Sequence, residues 1–379
     1  ERKRSRMKIA LIAPSYIPSR RANTIQTMKM AQAFTHQGHQ VLLIVPGETA
    51  KFSWEELSQH YGLSTQFEIE WMRSTPFWRR YDFAYIAVKR AKKWQADLVF
   101  TRVPQSAAIA SNLGIPTIFE IHDFPGGRIG PLLVKRFLNG KGAKALISIT
   151  KALAKHLQEE FDIPDSFITI APDGVDIDRY QNLPSSQQAR KLLKLQENFT
   201  VGYTGHLYPG RGSELILEIA KGLPEVNFLV VGGNPKDINL VQEQVNHLGL
   251  KNINLTGFIP NAELPTYQAA SDILLMPYQN RVSASGGGNI AKYLSPMKMF
   301  EYLASQRPII SSDLSVLQEV LNPDNAVILP IDQPEFWAKE ITNLIVDESR
   351  RINLSKNARL TAEKYTWNER ALQVLSSLK

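Results

Sequence analysis

The sequence predicts an α/β protein built from two doubly wound, parallel-sheet domains. Three observations predict it. Short apolar runs alternate with stretches of helical spacing throughout the chain. Its 379 residues suit two domains of ordinary size. A polar, strand-free stretch at 176–198 interrupts the alternation near the middle.

In the first half, Lys8–Ala13 (KIALIA) reads as a buried strand. Thr24–Gln37 follows as a helix with Ile25, Met28, Ala31 and Phe34 at helical spacing. Gly38 and His39 stop that helix before a strand at Gln40–Pro46. Further strands are predicted at 97–101, 116–121, 144–149 and 167–171, with helices filling most gaps. Such a series implies a parallel sheet covered on both faces. Past the polar stretch a second series opens, with strands at 200–204, 227–231, 253–256, 272–276, 308–311 and 326–330. The expected organisation is an N-terminal domain over 1–185 and a C-terminal domain over 186–365. A final helix over 366–379 is expected to pack back on the first domain.

Composition narrows the chemistry. There is no cysteine, which excludes disulfides, thiolate metal sites and a cysteine nucleophile. The seven histidines form no metal-ligand spacing, so no metal is expected. No apolar run approaches the ~20 residues of a membrane span, and no signal-type apolar region follows the basic start. A cytoplasmic protein is expected. The net charge of +8 is uneven: residues 1–175 hold 24 Lys and Arg against 15 Asp and Glu, or +9, leaving −1 for the remainder. Such asymmetry concerns partners rather than fold.

Ligands of open α/β sheets sit beyond the carboxyl ends of the strands. After the strand at 200–204 comes Gly205-His206-Leu207-Tyr208-Pro209-Gly210-Arg211-Gly212, with a helix predicted to begin near Ser213. Glycines that let backbone N–H groups approach, a bidentate cation and a helix N-terminus make a generic phosphate cradle, or simply a tight turn. Ser295–Glu301 (SPMKMFE) reads as a helix start, with Ser295 as N-cap and Pro296 at the first helical position. Lys298 then falls in the first turn, where the helix dipole disfavours a cation unless an anion is bound there. Glu301 follows inside an apolar run and is positioned to hold hydroxyl groups; the alternative is an exposed salt-bridged pair. Ser283–Asn289 (SASGGGN) is either a loop that wraps a polar ligand or a connector.

Together these segments resemble the donor-binding half of GT-B glycosyltransferases of retaining family 4 (group 1). The marks are Gly202–Gly212 (GYTGHLYPGRG) and Ser295–Ser312 (SPMKMFEYLASQRPIISS). The resemblance extends over nearly the whole chain: Pro14 and Ala22-Asn23-Thr24 in the first loop, Gly38-His39, Glu120-Ile121-His122-Asp123, Pro172–Asp176 (PDGVD) and Thr256–Ile259 (TGFI). It implies two Rossmann-like domains facing across a cleft. It also implies transfer of a sugar from a nucleotide-diphosphate sugar to a glycan, lipid or small-molecule acceptor, with retention and with neither metal nor cofactor.

Carried over residue by residue, the resemblance makes Arg211 and Lys298 the catalytic cations on the donor diphosphate. His122, between Glu120 and Asp123 at a strand's carboxyl end, is a further catalytic candidate placed to hydrogen-bond the acceptor or the donor sugar, or else a solvated strand-end histidine. Gly205, His206, Gly210, Gly257, Phe258, Gly287, Gly288, Asn289, Met299 and Glu301 become donor-binding residues, with Glu301 on the ribose. Asn23, Thr24, Glu120 and Asp123 fall on the acceptor side. Two positions depart from the pattern. Tyr293 stands eight residues before Glu301, where the family has a first glutamate, and His206 replaces a common second arginine. Rival readings are a GT-B sugar-nucleotide epimerase or hydrolase and a non-catalytic nucleotide-sugar-binding protein. A dehydrogenase is disfavoured, because the first turn, Pro14–Thr24, has no glycine.

Trp71–Trp94 interleaves seven aromatic residues with Arg73, Arg79, Arg80, Lys89, Arg90, Lys92 and Lys93. One reading is a helix that buries Phe83, Ile86 and Val88. The other is an interfacial patch for an anionic membrane surface or a lipid-linked acceptor, peripheral at the inner membrane face. No nucleic-acid module accompanies the charge, so nucleic acid is not expected as a partner.

Overall fold

A computed structural model describes residues 6–48, 52–75, 80–283 and 288–378. The chain divides into two units, 1–173 with 367–379, and 174–366.

The first unit is built on one parallel seven-stranded sheet of order β3-β2-β1-β4-β5-β6-β7. Its elements are β1 (Lys8–Ile12), α1 (Ala22–His36), β2 (Gln40–Pro46), α2 (Trp54–Tyr61), β3 (Glu68–Met72), α3 (Tyr81–Lys93), β4 (Leu98–Thr101), α4 (Pro104–Asn112), β5 (Thr117–Ile121), α5 (Ile129–Leu138), β6 (Ala143–Ser148), α6 (Lys151–Phe161) and β7 (Ile168–Ile170). Ile9–Ile12 and Val41–Val45 are almost wholly buried, as central strands covered on both faces must be. The strand β3 escapes the sequence reading, which saw only a possible aromatic and basic stretch from Trp71. It is an edge strand beside β2 alone, and its Glu68 and Glu70 alternate with Ile69 and Trp71. Ile86, expected in the core, is 40% exposed, whereas Phe83 and Val88 are buried.

The second unit carries α7 (Ser186–Leu192), β8 (Thr200–Thr204), α8 (Ser213–Gly222), β9 (Asn227–Val231), α9 (Pro235–His247), β10 (Ile253–Gly257), α10 (Leu264–Ala269), β11 (Ile273–Met276), α11 (Met297–Ala304), β12 (Ile309–Ser312), β13 (Val327–Leu329), α12 (Pro334–Val346) and α13 (Glu348–Ala362). Its parallel sheet has the order β10-β9-β8-β11-β12-β13. The polar stretch 176–198 belongs to this unit. A capping box between Ser185 and Gln188 opens α7, and the buried Arg190 pairs with Asp272 at 2.8 Å. Polar residues there cap and pair rather than link.

The chain ends in α14 (Trp367–Ser376), which packs on α1 within the first unit. No helix among the described residues is long and apolar enough to cross a membrane.

Candidate active site

In each sheet the strand order reverses once, between β1 and β4 in the first unit and between β8 and β11 in the second. Loops leaving the carboxyl ends of such neighbours part and leave a crevice.

In the second unit the loop after β8 and the loop after β11 are joined by Arg211. Its guanidinium donates to the Tyr278 hydroxyl at 3.2 Å and to the Ser283 carbonyl at 3.5 Å, while Nε is buried without a partner. Gly210 permits this closure: at φ +82° a β-carbon would lie 1.7 Å from the Arg281 carbonyl oxygen. Gly212 is the N-cap of α8, so Arg211 sits just before that helix. His206 stacks on Tyr208, with ring centroids 4.7 Å apart and planes within 4°.

Lys298 stands in the first turn of α11, but the cap differs from the expected one. The helix begins at Met297 with Pro296 as N-cap, whose ψ of 126° leaves it extended, and Ser295 lies outside it. Lys298 is only 8% exposed, so the exposed-pair alternative fails. Its Nζ has no hydrogen-bond partner and lies 3.7 Å from the Tyr203 ring centroid. Burial pushes the ammonium well below the usual lysine range and the charge of Arg211 lowers it further, against the opposing pull of Glu301. Arg211 and Lys298 thus both stand at helix starts with N–H donors unused, the kind of place to which an anion is attracted.

Glu301 lies one turn beyond Lys298 and accepts from Gln268 Nε2 at 3.2 Å. The Tyr180 hydroxyl donates to Gln268 Oε1 at 2.9 Å, which holds the amide in that orientation. Tyr302, next to Glu301, accepts from the Thr204 N–H at 2.7 Å and ties α11 to the end of β8. Gly257 and Phe258 lie at the end of β10, where the Gly257 carbonyl accepts from the Gly232 N–H at 2.8 Å. Asn289 turns its side-chain oxygen inward, accepting from Val282 and Ala291 N–H, which makes it a loop brace. Met299 is 1% exposed and its N–H donates to Pro296, so it packs the core and offers a ligand nothing polar. Gly288 follows the segment 284–287, and Gly287 lies outside the described residues.

In the first unit His122 and Asp123 leave the end of β5. Asp123 is exposed and accepts from the Phe124 N–H at 2.8 Å. His122 Nε2 bonds to Glu120, and burial and the nearby Arg102 push the imidazole down to about 4, so it is neutral at neutral pH. Glu120 corrects its acceptor-side expectation: it is 1% exposed and both oxygens serve protein donors. Thr24 is likewise committed, donating to the Ser19 and Arg21 carbonyls at 3.0 and 2.8 Å. Asn23 keeps a buried side-chain oxygen without a partner. Sequence reasoning missed Gln26, Arg102 and Arg370 around Glu120, saw Asp173 only as part of the Pro172–Asp176 motif, and missed Tyr203 and Tyr278 beside Lys298 and Gln268 beside Glu301. Of the residues missed, only the two tyrosines carried a signal, as aromatic residues beside apolar runs.

Two family models match, one described as Glycosyltransferase Family 4 over residues 24–179 and one as Glycosyl transferases group 1 over residues 198–347. A D-inositol 3-phosphate glycosyltransferase of Xylanimonas cellulosilytica is 24% identical over 314 residues, 79% of this chain and 70% of that protein. A 2-deoxystreptamine glucosyltransferase of Streptomyces kanamyceticus is 26% identical over 217 residues, 50% of this chain and 56% of that one. Among solved structures, Anabaena HepE in complex with UDP and glucose superposes with a TM-score of 0.76 at 18% identity, covering 98% of this chain and 99% of HepE. A glycosyltransferase from Rickettsia africae gives 0.77 at 16% identity, covering 99% and 98%. With both halves matched in order and the two parallel sheets in place, the chain belongs to the family 4 (group 1) glycosyltransferases of GT-B fold, hexosyltransferase-type enzymes that move a sugar from a nucleotide sugar to an acceptor.

Proposed function

We propose that this chain transfers a hexose from a UDP-sugar to a hydroxyl of a glycan or lipid-linked acceptor, with retention and without metal or cofactor. The observation that carries the reading is the partnerless, buried ammonium of Lys298 in the same site as the half-satisfied Arg211. As the sugar departs, negative charge collects on the leaving diphosphate. Preorganised cations and N–H donors around it are the largest rate term such a site supplies. In this reading Arg211, Lys298 and the 205–212 loop meet that charge, and Glu301 takes the ribose hydroxyls. His122 accepts a hydrogen bond from the sugar. The UDP bound by the structural neighbour HepE supports the choice of base.

A membrane-bound acceptor is supported by α3. Tyr81, Tyr85, Ile86, Lys89, Lys92 and Lys93 form one exposed face, with Ile86 40% and Tyr85 59% exposed. Rings at headgroup depth and cations on anionic lipid suit a peripheral protein. Arg90 is excluded from that face by its bidentate pairing with Glu70. Phe77, Trp78 and Arg79 lie outside the described residues.

The experiment is nucleotide release from a panel of UDP-, GDP- and ADP-sugars, with and without candidate acceptors and with chelator present. Release of UDP that rises with an acceptor and survives chelation supports the reading. Turnover confined to GDP- or ADP-sugars, or abolished by chelator, rejects it.

A further inference from the structure

We infer that Arg370, on α14, is a positioning residue for His122. Through Glu120 it fixes the imidazole in one tautomer, with the proton on Nε2 and Nδ1 bare. The inference rests on the reading above, in which His122 meets the sugar.

Glu120 is ringed by donors. Gln26 Nε2 reaches Oε1 at 2.7 Å, and the Gln26 oxygen is itself held by Arg102 Nη1 at 2.9 Å, so this amide cannot turn round. Arg102 Nε stands 4.0 Å from Oε1, and Arg370 Nη2 donates to Oε2 at 3.1 Å. Arg370 is aimed by the Ala171 and Pro172 carbonyls, which accept from its Nε at 3.2 and 2.9 Å. Burial alone would raise the Glu120 carboxyl, but Arg370 first, then His122 and Arg102, hold it well below the usual carboxylate range. A carboxylate only accepts, so His122 Nε2 must donate. In a neutral ring that leaves Nδ1 as an acceptor for a hydroxyl. The remaining carboxyl of the cluster is Asp173, which burial pushes up to about 6 beside the same arginine.

Glutamine at position 120 supplies only one acceptor oxygen. Donors stand on both sides of the side chain, Gln26 and His122 at one oxygen and Arg370 at the other, so neither orientation of the amide satisfies them all and the preference for one His122 tautomer is lost. The test is nitrogen-15 NMR of histidine-labelled full-length chain at neutral pH, with UDP-glucose turnover in parallel. The parent is expected to show His122 as the Nε2–H form and Glu120→Gln as a mixture of the two forms. Arg370→Met loses the preference and Arg370→Lys keeps it. Turnover number should fall by about tenfold or more in Glu120→Gln and Arg370→Met, with KM little changed, as for other supports behind a contacting group. An Nδ1–H form in the parent overturns the inference even where a variant fails to fold, and so does one tautomer shared by all variants. His122→Asn separates the two ideas. If it turns over normally while the tautomers behave as stated, the placing of His122 at the sugar is wrong and the Arg370 relay stands.

Discussion

A β-carbon at Gly205 would stand 2.6 Å from Nζ of Lys298. The glycine also holds φ +137°, where side chains are strained. Gly205→Ala is therefore expected to displace the ammonium as well as strain the loop, at about 1–3 kcal/mol for the backbone. Calorimetric titration with UDP should show the affinity loss, and unchanged affinity would detach the glycine from the diphosphate.

Removing the cations directly makes a sharper comparison. Arg211→Ala and Lys298→Ala should each weaken UDP binding by about 1.5–3 kcal/mol, the range of a charge-assisted hydrogen bond. Lys298→Met, which keeps the stem and removes a buried ammonium with no hydrogen-bond acceptor, should leave thermal stability level or higher. Equal UDP affinity in parent and both alanine variants removes the assignment.

For Glu301, the Gln268 amide already occupies one oxygen. Glu301→Gln should weaken nucleotide binding while Glu301→Asp leaves the melting temperature nearly unmoved. A group acting only in a surface pair would give roughly 0–1 kcal/mol in either assay. Silence in the binding titration is the adverse result.

The cluster around Glu120 predicts opposing acid responses. His122 falls from 6.5 to about 4 on folding, so the unfolded chain binds more protons in that window and stability drops as pH falls through it, by about 3 kcal/mol at most. Asp173 rises from 3.8 to about 6, so the folded chain binds more protons there and its contribution is lost as pH rises through 6. His122→Asn should flatten the acid-side loss of stability and Asp173→Asn should steepen it. Thermal unfolding from pH 4 to 8 reads both, and slopes changed in the same direction contradict the cluster.

At the membrane, Lys89→Glu, Lys92→Glu and Lys93→Glu together should abolish binding to anionic vesicles at low salt, since each cation contributes about 1 kcal/mol there. Co-sedimentation with phosphatidylglycerol-containing and pure phosphatidylcholine vesicles decides. A triple variant that binds as the parent does makes α3 an ordinary solvated helix.

The strands were legible wherever both faces are buried, because runs such as Leu42–Val45 cannot be anything polar. Edge strand β3 was not, since a strand with one neighbour tolerates Glu68 and Glu70 and loses the apolar run. Lys298 and Arg211 stood out because cations at helix starts are locally unfavourable. The polar shell that orients His122 was invisible: Arg370 lies 250 positions from Glu120, and no local pattern marks a pairing made through the fold. Glu120 was visible as part of a motif, but its inward aim depends on Gln26 and Arg102 from other elements.

The membership of α14 in the first unit has a consequence for how the protein is made. Residues 1–173 leave the ribosome long before Arg370, yet Glu120 relies on that arginine for one of its oxygens. Until the helix arrives, the nascent first unit must keep an under-compensated carboxylate in its interior, a state that costs several kcal/mol once water is excluded. That unit consequently reaches its final polar packing only after the second has been synthesised.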